Sequence, residues 1–231
     1  MKAVFTCGGT GGHINPALAV ARVLLERRPD SEILFVGAED GMEATLVPRE
    51  GFRLETLQIS SYMRSLKPSA IRHNVRAALS IRRALKKADR IIRDFQPDVI
   101  LGTGGYASYP MLHEGARFGI PTAVHESNAV PGLATKMVAD KVDRILVSFA
   151  DSRSAYRDPS RVIAVGMPVR EEFVFTRRAD ARRALGLDEK TPMIVSAWGS
   201  LGAREMNKKI AQFMKLECEQ DCWRHIHATG S

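Results

Sequence analysis

The sequence predicts an α/β protein with a doubly wound parallel sheet. Short apolar runs alternate along the chain with amphipathic helical patterns, and several of these runs end in Gly-rich loops. The runs are apolar throughout rather than at every second residue, which is typical of strands that helices bury on both faces. Ligands of such sheets bind beyond the carboxyl ends of the strands, which is where the Gly-rich loops lie.

The predicted elements follow the strand, helix, strand order of this class. Strands are predicted at Lys2–Cys7, Ile33–Val36, Leu54–Ile59, Val99–Leu101, Thr122–His125 and Ile145–Phe149. Helices are predicted at Pro16–Arg27, Met42–Glu50, Pro68–Arg93, Tyr109–Phe118 and Leu133–Ala139.

A second unit is predicted after the strand-like residues 162–165, and Gly166–Arg170 is typical of a stiff linker. We therefore divide the chain into domains at residues 1–167 and 168–231. A complete second domain of this kind needs about 150 residues, so this one is expected to be incomplete. Its predicted elements are a helix at Ala179–Leu185, a strand at Met193–Ala197, a helix from Arg204 to about Glu217 and a strand at His225–Ala228.

The first strand runs directly into Gly8-Gly9-Thr10-Gly11-Gly12-His13. The glycines let a ligand approach the backbone N–H groups, and the N-terminus of the following helix attracts negative charge. Asn15 is predicted to cap that helix and Pro16 to be its first residue. The spacing is not the dinucleotide fingerprint, because Ile14 stands at its last glycine position, and it is not a P-loop. The loop predicts a site for an anion or a sugar, and a tight turn with a surface histidine is the alternative.

Two further loops carry unusual residues at the carboxyl ends of predicted strands. Gly102-Thr103-Gly104-Gly105-Tyr106 follows one strand, and His125-Glu126-Ser127-Asn128 follows the next. Because the carboxyl ends of parallel strands meet at one edge of a sheet, the three polar loops are expected to converge there.

Composition narrows the class of protein. The chain has 231 residues, of which 45% are hydrophobic, so it can bury a sizeable core. Three cysteines and a start that lacks the pattern of a secretory signal favour a reducing, cytoplasmic compartment. Because no apolar run has the length of a membrane span, any membrane contact is expected to be peripheral.

The net charge of +8 is concentrated in residues 64–93, which contain ten basic residues and one acid. Apolar residues recur there at steps of three and four, which predicts an amphipathic helix after Pro68. Such a helix suits anionic lipid headgroups or nucleic acid, and a solvated face over the core is the structural alternative. The absence of aromatic side chains from this segment argues against nucleic acid.

Two cysteines and two histidines lie close together near the end of the chain, at Cys218, Cys222, His225 and His227. Their spacing is unlike the common zinc patterns. We therefore predict no metal site and expect the cysteines to lie one helical turn apart.

Together, five segments resemble the MurG family, the peptidoglycan N-acetylglucosaminyltransferases of glycosyltransferase family 28. The resemblance covers nearly the whole chain and implies the GT-B fold, with two Rossmann-like doubly wound parallel sheets of which the second is incomplete. It also implies a C-terminally truncated member. The segments, in the family's order, are Gly8-Gly9-Thr10-Gly11-Gly12-His13 with Asn15-Pro16-Ala17, Gly104-Gly105-Tyr106, His125-Glu126-Ser127-Asn128, Gly166-Met167-Pro168-Val169-Arg170 and Gly199-Ser200-Leu201-Gly202-Ala203-Arg204.

The resemblance implies a hexosyltransferase that moves N-acetylglucosamine from UDP-N-acetylglucosamine to undecaprenyl-diphosphate-MurNAc-pentapeptide. The reaction converts lipid I to lipid II with inversion at the anomeric carbon. Inverting transfer needs a base for the acceptor hydroxyl and positive charge for the departing diphosphate. No cofactor or metal is expected, because no Asp-x-Asp motif is present and arginine and helix N-termini supply the charge.

Site residues follow from the positions that match the family's motifs. His13 is the expected base, and a structural or acceptor-positioning role is its alternative. Asn128 is expected to bind a donor-sugar hydroxyl, and Glu126 to orient a neighbour or to act in acid–base chemistry. The implied substrate-binding residues are Thr10, Gly11 and Gly12 around the donor sugar, Tyr106 and His125 on the acceptor side, Asn128, and Arg170 and Ser200 at the diphosphate.

The resemblance also implies a peripheral protein at the cytoplasmic face of the bacterial cell membrane, acting in peptidoglycan synthesis and so in cell-wall biogenesis, cell shape and cell division. An apolar patch ringed by cations would dock the first domain on anionic lipid. The expected partners are UDP-N-acetylglucosamine, undecaprenyl-linked lipid I and an anionic membrane surface, but no nucleic acid. The candidates for the membrane patch are Ile71, Val75, Leu79, Arg72 and Arg76.

Three alternatives stay open at this point. One is a GT-B glycosyltransferase with a different acceptor, and another is a non-catalytic basic module for a membrane surface or nucleic acid. The third is a dehydrogenase in which Glu39 or Asp40 would bind the ribose, although the chain lacks the glycine fingerprint that such enzymes carry after the first strand. Because the family's uracil and ribose contacts come from the later part of the second domain, we expect little or no transferase activity from the 231-residue chain alone.

Overall fold

The computed structural model describes residues 1–60, 68–199, 202–220 and 223–230, with the backbone alone for residues 68–76, 78 and 220. The chain divides into two units, residues 1–170 and residues 171–231. The boundary predicted from the sequence, after Met167, lies shortly before this division.

Unit 1 contains a parallel sheet of seven strands, described in the order β3-β2-β1-β4-β5-β6-β7. The sheet is parallel throughout, as predicted, and β7 extends it beyond the predicted six strands. Its strands are β1 (Lys2–Thr6), β2 (Glu32–Ala38), β3 (Arg53–Leu57), β4 (Val99–Gly102), β5 (Thr122–Glu126), β6 (Arg144–Val147) and β7 (Val162–Ala164).

Helices cover both faces of this sheet. Along β1, Val4 belongs to one buried cluster and Ala3 and Phe5 to the other, and successive strand residues point to opposite faces. The cluster around Val4 includes residues of α3, α4 and α5, and the cluster around Phe5 includes residues of α1 and α2. The helices are α1 (Gly11–Arg27), α2 (Glu43–Arg49), α3 (Pro68–Phe95), α4 (Ser108–Arg117) and α5 (Leu133–Val138).

Helix α1 begins earlier than the sequence predicts. Thr10 is its N-cap, and the Thr10 carbonyl accepts hydrogen bonds from the backbone N–H groups of His13, at 3.0 Å, and Ile14, at 3.2 Å. The predictions that Asn15 caps the helix and that Pro16 is its first residue are therefore wrong. Glycine is a poor helix former, but here the Thr103 hydroxyl donates to the His13 carbonyl at 2.6 Å and fixes the first turn from outside the helix.

Unit 2 is small, and its parallel strands β8 (Met193–Ala197) and β9 (Arg224–Ala228) pair with each other. A chain of side-chain contacts runs through it: His225 Nδ1 lies 2.6 Å from a Glu217 carboxylate oxygen, and His225 Nε2 lies 2.8 Å from the Ser196 hydroxyl. Ser196 also contacts His227 Nδ1 at 2.8 Å. The helices of unit 2 are α6 (Glu171–Phe175), α7 (Arg178–Ala184) and α8 (Arg204–Gln220).

Candidate active site at the carboxyl edge of the sheet

A cleft of about 290 Å³ opens in unit 1 at the carboxyl ends of the central strands. His13, in the first turn of α1 after β1, and the loops after β4 and β5 all line it, so the predicted convergence of the three segments is confirmed. Helices α3, α4 and α5 supply apolar side chains on the same side. The lining residues are His13, Ile59, Ser60, Ile81, Gly104, Gly105, Tyr106, Tyr109, Glu126, Asn128, Gly132, Leu133, Ala134, Thr135 and Met137.

His13 is half-buried in the first turn of α1. Its Nδ1 lies 3.0 Å from the carbonyl oxygen of Gly8 and 3.4 Å from the Thr10 hydroxyl. A carbonyl oxygen only accepts, so Nδ1 carries the proton and Nε2 of the neutral ring keeps its lone pair. The Nε2 side of the ring packs against Gly104, where a Cβ atom would lie 3.2 Å from Nε2. His13 therefore has the tautomer that a general base needs.

Tyr106 lines the cleft beside His13. Partial burial raises the pKa of its phenol, and the negative charges of Glu43 and Asp40 raise it further. The phenol therefore stays protonated at neutral pH and can donate a hydrogen bond into the cleft.

Glu126 and Asn128 form a clamp in the loop after β5. The Glu126 carboxylate is 3% exposed and accepts hydrogen bonds from the Asn128 backbone N–H at 2.9 Å and side-chain amide at 2.7 Å. Its other oxygen accepts from the Gly132 N–H at 2.9 Å. Burial by itself raises the pKa of Glu126, but these bonds and one from Thr135 together lower it. Glu126 is thus an ionised residue that orients its neighbour, and the Asn128 amide oxygen is left as a hydrogen-bond acceptor.

His125 does not line the cleft. Its side chain is 2% exposed, and Nε2 lies 3.0 Å from the Gly166 carbonyl and 3.3 Å from the Ser148 hydroxyl. Burial lowers the pKa of the ring, although the bond to Gly166 and the charge of Glu126 oppose this. The side chain therefore connects β5 to the start of the 166–170 segment. The family resemblance implied that His125 contacts the acceptor. Its placement argues against this contact, because β5 directs alternate residues into the core and the His125 side chain is buried there.

Thr10, Gly11 and Gly12 form the N-terminus of α1. In the first turn of a helix the backbone N–H groups have no partner within the helix, so Gly11 and Gly12 present donors there. Thr10 and Gly12 are exposed, while Gly11 is buried. The predicted helix N-terminus therefore exists at this loop, but it lies at Gly11 and Gly12 and not at Pro16.

Arg170 lies apart from the cleft. It borders a smaller cavity of about 200 Å³ on the side of α1 and α2, together with Asn15 and Arg49. The Glu50 carboxylate lines this cavity beside the two guanidinium groups, so the cavity carries charges of both signs. Ser200, the other predicted diphosphate contact, lies outside the described residues.

The basic helix exists as α3, which extends two residues beyond its predicted end at Arg93. Leu79 is 53% exposed, as the proposed membrane patch requires. The backbones of Ile71, Arg72, Val75 and Arg76 are helical, and their side chains lie outside the described part of the chain. None of the helices in the described ranges is both long and apolar enough to cross a bilayer.

Sequence reasoning missed Glu43, which is fully buried at the first position of α2. One carboxylate oxygen accepts from the Ala38 N–H at 2.6 Å, and the other accepts from the Gly9 N–H at 3.2 Å. In the sequence Glu43 resembles an ordinary acid in a first helical turn. The glycines at positions 37 and 41 were the available signal, because a Cβ atom at either would lie within 2.5 Å of the Glu43 side chain.

Comparison with known families identifies the first unit. Residues 3–147 match the glycosyltransferase family 28 N-terminal domain. The chain is 39% identical over 230 residues to the UDP-N-acetylglucosamine–N-acetylmuramyl-(pentapeptide) pyrophosphoryl-undecaprenol N-acetylglucosamine transferase of Acetivibrio thermocellus. It is 40% identical over 215 residues to the protein of the same name from Thermoanaerobacter sp.. The alignments cover 100% and 93% of this chain but only 61% and 58% of those relatives.

Solved structures share the fold. Acinetobacter baumannii MurG superposes with a TM-score of 0.64 at 24% identity, covering 93% of this chain and 57% of that protein. UDP-GlcNAc 2-epimerase from Neisseria meningitidis superposes with a TM-score of 0.60 at 13% identity, covering 98% and 65%. These likenesses confirm the GT-B type of α/β fold, and the family match excludes the dehydrogenase alternative. From the match over residues 3–147, the chain belongs to glycosyltransferase family 28.

Proposed function

We propose that this chain provides the acceptor site and part of the donor site of an inverting N-acetylglucosaminyltransferase. The donor is UDP-N-acetylglucosamine and the acceptor is undecaprenyl-diphosphate-MurNAc-pentapeptide, so the product is lipid II of peptidoglycan synthesis. Support comes from the family membership and from relatives of this name at 39–40% identity.

The observation that carries the proposal is the pairing of His13 with Asn128 on one cleft. When the His13 ring is neutral, its contact with the Gly8 carbonyl leaves the lone pair on Nε2, which is suited to remove the proton of the acceptor 4-hydroxyl as the oxygen attacks the anomeric carbon. The Asn128 amide is held by Glu126, so its oxygen can accept a hydrogen bond from a sugar hydroxyl without first being ordered.

Charge on the departing diphosphate needs a partner in the transition state. In unit 1 the N-terminus of α1 would supply it, and the family resemblance implies Arg170 and Ser200 as further diphosphate contacts. No metal or cofactor is part of this proposal, because the sequence contains no Asp-x-Asp motif and these groups already provide positive charge.

The surface of α3 is the proposed contact with the membrane. The helix is amphipathic and strongly basic, and Leu79 is exposed on it. Each cation near an anionic surface adds about 1 kcal/mol of attraction. A peripheral protein at the inner face of the membrane would thereby reach a lipid-anchored acceptor, and its product would serve cell-wall growth, cell shape and division.

Titration calorimetry with a short-chain, water-soluble lipid I analogue tests the acceptor site. Tyr106→Phe is expected to weaken binding about tenfold, the effect of one well-placed hydrogen bond. Tyr156→Phe removes the same group outside the cleft lining and should leave acceptor affinity unchanged. Equal affinities for the wild type and Tyr106→Phe would contradict the proposed role of the cleft.

Titrations with UDP-N-acetylglucosamine and with UDP alone test the donor side. We expect weak donor binding and little turnover from the 231-residue chain. Turnover should appear when the chain is fused to the part of the Acetivibrio thermocellus relative that it does not span. A fusion that folds and binds both substrates but transfers no sugar would refute the proposed reaction.

Two alternatives make different predictions. A transferase with another acceptor would bind UDP-N-acetylglucosamine but not the lipid I analogue. A non-catalytic membrane module would lose vesicle binding on charge reversal in α3 and would show no response to either substrate. Vesicle binding that does not weaken with salt would argue against the electrostatic role of α3.

A further inference from the structure

We propose that Glu43 is a positioning residue for His13, acting through the single peptide unit that joins Gly8 and Gly9. The Gly9 N–H of this unit donates to the Glu43 carboxylate, and the Gly8 carbonyl of the same unit accepts from His13 Nδ1. The result is a relay of carboxylate, peptide and imidazole.

The geometry on the Glu43 side is tightly constrained. The carboxylate is 0% exposed, and none of the ion pairs between described residues includes it. A buried carboxylate without a cation needs N–H donors, and the Ala38 and Gly9 amides supply them at 2.6 and 3.2 Å. The Gly9 bond is therefore required by the burial of Glu43.

Glycines make room for this carboxylate. A Cβ atom on Gly41 would lie 2.2 Å from one carboxylate oxygen, and a Cβ atom on Gly37 would lie 2.4 Å from the Glu43 Cγ. On Gly8 it would lie 2.9 Å from the other carboxylate oxygen. Because no residue with a side chain fits at these three positions without a shift, the niche holds Glu43 in one place.

The peptide unit is equally constrained on the His13 side. Gly9 has a φ of +91°, a backbone conformation that favours glycine, so the turn that follows the Gly8–Gly9 peptide depends on glycine at this position. Gly105 packs directly on the Gly8 carbonyl, since a Cβ atom there would lie 2.1 Å from that oxygen. The carbonyl that His13 uses is thus fixed by the loop after β4 as well.

Chemistry follows from the order of the three groups. A carboxylate that accepts from a peptide N–H increases the negative charge on the carbonyl oxygen at the other end of that peptide. The carbonyl then holds the Nδ1 proton of His13 more strongly and keeps the lone pair on Nε2. Glu43 does for His13, through one peptide, what a directly bonded carboxylate does for other catalytic histidines.

The use of this lone pair for sugar transfer rests on the proposed function, whereas the relay itself does not. The test is therefore made on the ligand-free 231-residue protein. Ring ¹⁵N chemical shifts of histidine, measured where the ring is neutral, report the ratio of the Nδ1–H to the Nε2–H form, and the His13 signals are assigned with His13→Gln.

We expect wild-type His13 to be mainly in the Nδ1–H form, with a protected Gly9 amide. In Glu43→Gln one acceptor oxygen remains, and we expect it to stay on the Ala38 N–H, which makes the shorter bond, so the Gly9 N–H loses its acceptor. The Nδ1–H to Nε2–H ratio should then fall about fivefold. Glu50→Gln, just beyond the end of α2, removes an equal charge that is paired with Arg22, and it should leave the ratio unchanged.

Several results would overturn the inference. One is a wild-type His13 in the Nε2–H form, or a Gly9 amide that exchanges as fast as an exposed one, and neither measurement depends on a variant. Another is a folded Glu43→Gln or Glu43→Asp protein with the wild-type ratio. A loss of thermal stability with no change in the ratio would likewise assign Glu43 a purely structural role. Failure of the lipid I analogue to bind would contradict the proposed function and leave the relay standing.

Discussion

The loop after β1 leads into His13 of α1, which lines the same cleft as the loop after β5. Each loop is held by a buried carboxylate, but the two carboxylates come from different parts of the chain. Glu126 is the last residue of β5 and bonds Asn128 and Gly132 in its own loop, two and six residues away. Glu43 lies on α2 and reaches Gly9, which is 34 residues away in the chain. One loop is organised locally and the other by the tertiary fold.

This difference has energetic consequences. Glu126 lines the cleft. If its side chain is removed, water can therefore reach the N–H groups of Asn128 and Gly132 that it had bound. Glu43 is sealed beneath the first loop with no exposed surface. A donor left without a partner there keeps its full desolvation cost, so damage to the β1 loop should exceed damage to the β5 loop.

The largest effect is expected from Glu43→Ala. It leaves the Gly9 and Ala38 amides unpaired and opens a cavity, so the free energy of unfolding of unit 1 should fall by about 3–5 kcal/mol. Urea unfolding should be followed by circular dichroism, because both tryptophans, Trp198 and Trp223, belong to unit 2. Glu50→Ala is the control and should cost less than about 1 kcal/mol. Equal losses in the two variants would remove the distinction between the loops.

A smaller effect is expected from Glu126→Ala. The variant loses the bonds to Asn128 and Gly132, but water replaces them in part, so a loss of about 2 kcal/mol is expected. Affinity for UDP-N-acetylglucosamine should fall as well, because the Asn128 amide is no longer held. Hydrogen exchange at Gly132 provides the local readout, and an unchanged exchange rate would contradict the clamp.

Alanine at two glycines sharpens the comparison further. In Gly41→Ala the new Cβ would meet the Glu43 carboxylate at 2.2 Å, which should cost about 1–2 kcal/mol. In Gly132→Ala the new Cβ lies 3.6 Å from Glu126, an ordinary contact at a φ of −68°. That variant should stay within about 0.5 kcal/mol of the wild type. Similar thermal midpoints for both alanine variants would argue against a tight niche at Glu43.

The smallest effect expected is a dependence of stability on pH through Glu126 and His125. The folded pKa of Glu126 lies below its ordinary 4.5, so its stabilising contribution is present above that pH and is lost as pH falls through the folded value. The pKa of His125 lies below 6.5, so the unfolded chain binds the proton first and stability also falls as pH drops below 6.5. Urea midpoints measured between neutral and acid pH should decline in both ranges. Glu126→Ala should make the more acidic decline shallower without removing it, because the pKa values of Asp89 and Asp143 are lowered as well. If the two proteins follow the same curve there, the assignment to Glu126 is wrong.

Much of the fold could be predicted from the sequence because its signals are local. Continuous apolar runs predicted six strands of the parallel sheet, and five helices followed from their periodicity. The start of α1 could not be predicted, because Gly11 and Gly12 argue against a helix and only the Thr103 contact shows why the turn forms there. His125 was assigned to the acceptor from a motif, whereas its burial depends on which face of β5 it occupies.

The sequence by itself determined the α/β class, the three loops at one edge and the family to which the chain belongs. Each of these could be recognised from motifs whose residues are neighbours in the chain. Only the tertiary structure decided that His13 carries its proton on Nδ1 and that Glu43 lies behind it. The physical reason is that a hydrogen bond acts over about 3 Å in space, whatever the separation in sequence. Contacts between residues 34 positions apart therefore exist only once β1, β2 and α2 have packed together.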